Sequence, residues 1–166
     1  MCTPVGEVYT MKVALWRKLV LTALAAALVV LSSCASLQRS WDQRNVEMVA
    51  QLINDGQAQK LAAMSATPFL VDGEIVALKA DVASFWNGIV KAGFRVEGPA
   101  LTQGVPVTAE SYKQFADTME VKSFFAQYVK KDARVLELRT ATSGDTILLI
   151  FRDSWSKTIY GFKGPF

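Results

Sequence analysis

The 166-residue chain contains no histidine and two cysteines, Cys2 and Cys34, and no apolar run in it reaches the length of a bilayer-spanning helix. Without an imidazole, Ser-His and Cys-His nucleophile systems are excluded, and so are zinc sites built from cysteine and histidine. Beyond residue 33 the sole cysteine is Cys34, so that part of the chain closes no internal disulfide and must rely on an apolar core. Charge of one sign is also scarce. Lys12, Arg17, Lys18 and Glu7 all lie in the first 33 residues, and without them the 18 basic and 15 acidic side chains become 15 and 14. Such near-neutrality argues against nucleic acid, which calls for a clustered basic face; the local pair Lys130-Lys131 reads as a solvated helix end. Glycine-rich phosphate cradles are missing, and Asp72-Gly73-Glu74 is too short for a calcium loop, whose ligands spread over about 12 residues. No metal or cofactor is expected.

What the chain does have is concentrated first at its N-terminal side. From Met11 it runs MKVALWRKLVLTALAAALVVLSSC, with Lys12, Arg17 and Lys18 ahead of a 13-residue apolar run, Leu19 to Leu31, broken only by Thr22. A stable transmembrane helix needs about 20 apolar residues, so this run fits the hydrophobic region of a secretory signal. Met1 to Thr10 carries Glu7 and no signal character, which makes Met11 the expected start. The segment Leu31-Ser32-Ser33-Cys34 resembles the lipobox of bacterial lipoproteins: a leucine, two small residues and the cysteine, in order behind a basic start. The resemblance implies cleavage before Cys34, a diacylglycerol on its sulfur and acylation of the new N-terminus. Two or more acyl chains hold a protein stably where one holds it marginally. It also implies location: in many bacteria an Asp after the lipidated cysteine retains the protein at the inner membrane, and here that position is Ala35. The expected organisation is a signal peptide over 1–33, a short lipidated tether over 34–39 and one α+β domain over 40–166, held at the outer membrane and facing the periplasm.

Hydrophobic periodicity outlines the domain. From about Ser40, Trp41, Val46, Val49, Leu52 and Ile53 form a helical stripe that ends at Asn54-Asp55-Gly56. A short helix over Gln57 to Ser65 stops before Pro68. Phe69 to Val76 reads as a hairpin turning at Asp72-Gly73, followed by a helix over Ala80 to Ala92 that presents Val82, Phe85, Trp86 and Ile89, with Asp81 in its first turn and Gly93 at its exit. Phe94 to Glu97 is expected as a strand. Gly98 to Val107, with two glycines and two prolines, is expected as an ordered surface loop. Thr108 is positioned to cap a helix carrying Tyr112 and Phe115, and Asp117 with Glu120 resembles a capping box that opens a helix with Val121, Phe124, Phe125 and Tyr128. The period then changes from helical to alternating. Arg134 to Arg139 is a strand with Leu136 and Leu138 on one face, Thr146 to Phe151 is apolar on both faces and so doubly buried, and Lys157 to Lys163 is a third strand with Tyr160 and Phe162 on one face.

Helices first, an Asp-Gly hairpin leading into a helix, then a closing three-stranded meander amount to an α+β fold with N-terminal helices packed on one side of a curved antiparallel, cone-like sheet. The segments Pro68 to Phe94 and Arg134 to Phe162 make this order similar to the nuclear transport factor 2-like superfamily, which includes ketosteroid isomerases, polyketide cyclases and many non-catalytic binding domains. The segment Thr108 to Val129 departs from that plan. Catalytic members place a carboxylate base and a tyrosine or second acid inside the cone, with pKa values set by an apolar pocket. Here Glu137 and Asp153 are the candidate bases, but Arg139 and Arg152 are the expected partners that would hold them in cross-strand salt bridges. Trp41, Trp86, Phe115 and Tyr160 are the candidate pocket. The reading that results is a lipid-anchored, non-catalytic envelope domain that binds a protein partner or a small apolar ligand near the membrane. Its alternatives are an isomerase- or cyclase-type enzyme using Glu137 or Asp153, and a purely structural lipoprotein.

Overall fold

The computed structural model describes residues 36–165. The chain divides into two compact units, residues 1–40 and 41–166. Of the first, residues 36–40 are described, and they are helical and exposed. Cys34, the lipobox and the expected signal peptide lie outside the described residues. Of the tether expected over 34–39, residues 36–39 belong to a helix. Ser36, Leu37, Gln38 and Arg39 include no residue that breaks one, and each helical residue advances the chain about 1.5 Å instead of about 3.3 Å.

That helix, α1, covers residues 36–54. From Val46 onward the expected stripe packs inward: Val46, Val49 and Ile53 are buried, joined by Ala50. At the start of the second unit the stripe is polar instead. Trp41 is 52% exposed, while Asp42 and Asn45 are each 2% exposed. Counting back from Val46 and Val49 by helical steps of three and four reaches Asp42 and Asn45, not Trp41, so geometry overrides the apolar preference.

The remaining elements are α2 (Ala58–Met64), β1 (Ser65–Val71), β2 (Glu74–Val76), α3 (Lys79–Lys91), β3 (Ala100–Pro106), a 3-10 turn (Ser111–Gln114), α4 (Met119–Gln127), β4 (Arg134–Arg139), β5 (Thr146–Arg152) and β6 (Thr158–Lys163). The hairpin between β1 and β2 turns through Asp72 and Gly73 at φ of 49° and 99°, the left-handed pair that such a two-residue turn requires. Thr118 opens α4: its side chain accepts from the Val121 amide at 3.3 Å. The expected cap, Asp117, sits one residue too early. Phe94 to Glu97 is not a strand; the Asn54 side chain holds this segment by bonding both the carbonyl and the amide of Val96, at 2.9 and 2.8 Å.

The six strands form one curved, unclosed sheet in the order β2-β1-β6-β5-β4-β3. The meander β4-β5-β6 is as expected, and all neighbours are antiparallel except β1 and β6, which run parallel. A wholly antiparallel sheet is therefore corrected: the last strand returns beside the first, not beside a chain neighbour. The expected loop over Gly98 to Val107 is corrected as well, since it contains β3. An edge strand tolerates the features that argued against a strand, with Pro106 at its last position and a bulge between Leu101 and Gln103.

Strand β5 explains how the core is divided. Its side chains alternate strictly, Ile147, Leu149 and Phe151 into one cluster and Leu148 and Ile150 into another. The first cluster gathers α1, α2 and α3 through Val49, Ile53, Leu61, Val82 and Trp86, whereas the second gathers Tyr112, Phe115, Val121, Phe124 and Phe125 from the 3-10 turn and α4. Helical structure hence covers both faces of the sheet instead of one. The expected pairing of Tyr160 with Phe162 on one face also fails. The β5–β6 register shifts between Ile150↔Gly161 and Phe151↔Ile159, so Tyr160 is an extra residue that turns to the second cluster, while Phe162 stays in the first.

Candidate functional site

The four aromatics expected to line a pocket are separated by these two clusters. Trp86 is fully buried on the α1–α3 side, where it packs on Phe69, Phe85 and Phe162 with ring centroids 4.9 to 5.9 Å away and donates from Nε1 to Ser65 Oγ at 2.8 Å. Phe115 and Tyr160 belong to the opposite cluster. Trp41 lies exposed on α1, with the Arg44 guanidinium 4.8 Å from its ring centre. The structure does not bring the four together. Within the α1–α3 side, the seam lined by Val49, Ala50, Ile53, Val96, Leu138, Ile147, Leu149 and Phe162 has about 0 Å³ open to a water-sized molecule.

The candidate bases are likewise apart from any apolar enclosure. Glu137 Oε1 accepts from Thr102 Oγ1 at 2.8 Å across β3 and β4, and Asp153, exposed after β5, accepts from Asn45 Nδ2 at 3.0 Å. Neither takes the arginine expected for it. Arg139 turns to the Gly144 carbonyl at 3.0 Å, and Arg152 reaches both oxygens of Asp132 at 2.8 Å. The guanidinium beside Asp132 holds that carboxyl below its ordinary range. Close by, burial pushes the Tyr160 phenol above its ordinary value, with Arg152 acting against the shift. Among the described residues no group of three or more His, Cys, Asp or Glu is placed to hold a metal ion, and no helix is long and apolar enough to cross a membrane.

The ion pair between Asp42 and Arg134 has a buried member, Asp42. Arg134 Nε and Nη2 lie 3.0 and 2.9 Å from Asp42 Oδ2, and Nη2 also donates to the Gly104 carbonyl at 2.6 Å. Any side chain at Gly104 would meet the Asp42 carboxylate. Glycine there is what lets α1 sit against β3 and β4. Gln43 strengthens the same junction, accepting from the Leu101 amide at 2.8 Å and donating to the Pro99 carbonyl at 3.0 Å. These bonds hold the covered edge of β3.

At the other edge of the sheet an open groove of about 590 Å³ runs between the β1–β2 hairpin and α4, lined by Pro68, Ile75, Ala77, Met119, Phe124 and Tyr128, with Glu120, Ser123 and Gln127 adding polar groups. Ile75, Met119 and Tyr128 are large apolar side chains left exposed. Sequence reasoning missed this groove because Ile75 read as hairpin and Tyr128 as core. The available signal was Met119, an apolar residue at the first position of a helix whose core side begins only at Val121. Comparison with protein-family models, with curated proteins and with solved structures found no match to this chain.

Proposed function

We propose that the chain is a lipid-anchored bacterial envelope protein whose α+β domain, of the nuclear transport factor 2-like kind, is a non-catalytic module that binds a protein partner. The lipobox-like Leu31-Ser32-Ser33-Cys34 motivates the anchor, and Ala35 the outer membrane as its site. The observation that carries the binding role is the open groove beside the β2 edge, where Ile75, Met119 and Tyr128 offer apolar surface to a segment of another protein. The filled seam between α1 and the sheet supports a protein partner over a small apolar ligand, which needs an enclosed volume of a few hundred Å³. Glu137 and Asp153, bonded to Thr102 and Asn45 outside any apolar pocket, support binding over general-base catalysis.

Two measurements test this reading. Mass spectrometry of the N-terminal peptide from the unsubstituted protein is expected to find a diacylglycerol on Cys34, absent in Cys34→Ala; a Cys34 peptide with a free thiol refutes the anchor. A photo-crosslinking residue at Met119 in intact cells is expected to capture a discrete protein, and Ile75→Asp to abolish the product. Equal crosslinking from Met119 and from the distant Gln59 would remove the groove from the reading.

A further inference from the structure

We propose that the end of the domain carrying Trp41 and Trp155 is a second, non-covalent membrane contact, a face that lies on an anionic bilayer surface. This deepens the envelope reading above and rests on its membrane location, but not on the groove. The sheet defines the face. Register pairs Arg134 with Pro106 and Phe151, and Arg152 with Thr158, so the end of β3, the start of β4, the end of β5 and the start of β6 lie together. The second unit's share of α1 begins at the same end, because Asp42 is bonded to Arg134 and Asn45 to Asp153 and Lys157.

Two tryptophans stand out there. Trp155 is 109% exposed and Trp41 52% exposed. A tryptophan so fully exposed makes no packing contribution to the fold, and its amphipathic ring suits the boundary between water and lipid. The turn that presents Trp155 is well built: Ser156 O accepts from Ser154 Oγ at 3.0 Å and from Thr158 Oγ1 at 2.9 Å. Arg44 lies over the Trp41 ring, Lys157 follows Trp155 by two positions, and Lys130 and Lys131 are exposed in the turn that leads into β4 at the same end of the sheet. Two acids of this end are paired with cations, Asp42 with Arg134 and Asp132 with Arg152, whereas Asp153, bonded to the neutral Asn45 amide, keeps its charge against several basic side chains. The remaining excess is positive, complementary to anionic headgroups. Aromatic rings with surrounding cations make the combination that binds an interfacial surface.

The test uses the purified full protein reconstituted in vesicles, with brominated acyl chains as quenchers of tryptophan emission. In vesicles containing phosphatidylglycerol, emission is expected to be quenched, and quenching to weaken in pure phosphatidylcholine and in high salt. Trp155→Phe and Trp41→Phe should each remove part of the quenching, whereas buried Trp86, and Trp16 wherever residues 1–33 are retained, supply a background that these substitutions leave unchanged. Lys130→Gln and Lys131→Gln should each lower the docked-to-undocked ratio about fivefold. Emission that is the same with brominated and ordinary lipid, in protein that floats with the vesicles, overturns the proposal. So does quenching that requires a second protein. The mass of the N-terminal peptide reads the lipid on Cys34 independently: a lipidated chain without quenching keeps the anchor and loses the face, and an unlipidated chain whose quenching falls in Trp155→Phe and Trp41→Phe does the reverse.

Discussion

Replacing Asp42 by Ala removes the carboxylate that ties α1 to the edge of the sheet, and the structure sets the size of the effect. The Asp42 side chain is 3% exposed and that of Arg134 20% exposed. Taking one partner from a buried ion pair costs about 3–5 kcal/mol, because the other charge stays behind without compensation. In Asp42→Ala the stranded guanidinium keeps some water and the Gly104 carbonyl, so the lower end, about 3 kcal/mol, is expected. In Arg134→Ala the carboxylate has less access to water than the guanidinium has in Asp42→Ala, and the loss should fall in the same range of about 3–5 kcal/mol. Gly104→Ala should produce a similar loss by forcing the carboxylate away from a backbone it now touches. The double change Asp42→Leu with Arg134→Met should recover most of the stability, since an apolar pair of similar volume avoids the desolvation of both charges. Urea unfolding, followed by the emission of buried Trp86, measures this. With a slope of about 2 kcal/mol per molar urea, a 3 kcal/mol loss lowers the midpoint by about 1.5 M. Losses under about 1 kcal/mol in both single variants, with no coupling in the cycle, would refute the reasoning, for the pair would then behave as an exposed one.

Other substitutions probe other parts of the fold. Leu149→Ala removes a fully buried side chain from a seam with no room to spare, and should cost about 2–5 kcal/mol in the same urea experiment; a loss below about 1 kcal/mol would show that the seam collapses freely. Thr118→Ala should cost about 1 kcal/mol and Asp117→Ala nearly nothing, and the reverse order would move the cap of α4 back to Asp117. Tyr160 is held in its neutral form by burial, so its folded pKa lies above its unfolded value. Its contribution to stability is complete below the unfolded pKa and is lost as pH rises through the folded one. A difference absorbance titration of the protein against Tyr160→Phe should show an alkaline midpoint above that of an ordinary tyrosine, and an ordinary midpoint would contradict the assigned burial.

Much of the fold was legible in the sequence because it depends on neighbours along the chain. The alternation of Leu136 and Leu138, the unbroken run from Ile147 to Phe151 and the Asp72-Gly73 turn are local signals, and the strands and hairpin appear where those signals place them. Strand β3 was hidden because Gly104 and Pro106 carry a local message against strands, while the strand exists through its pairing with β4 and the bulge that accommodates it. The candidate site was less legible still. Trp41, Trp86, Phe115 and Tyr160 look alike as aromatic residues, yet burial and sheet side distribute them among an exposed helix surface and two separate clusters.

By itself, then, the sequence determined which chemistry is out of reach, since a chain without histidine and with no sulfhydryl beyond Cys34 in residues 34–166 has neither an imidazole base nor a cysteine pair. It also determined the α+β character, through periods of 3.6 and 2 that each segment carries internally. Tertiary structure alone decided which polar residues enter the core. Asp42 is buried because Arg134 and the bare backbone at Gly104 arrive from 92 and 62 positions away. It also decided that Tyr160 and Phe162 face opposite ways, because one extra residue in β6 reverses the side on which every preceding side chain lies.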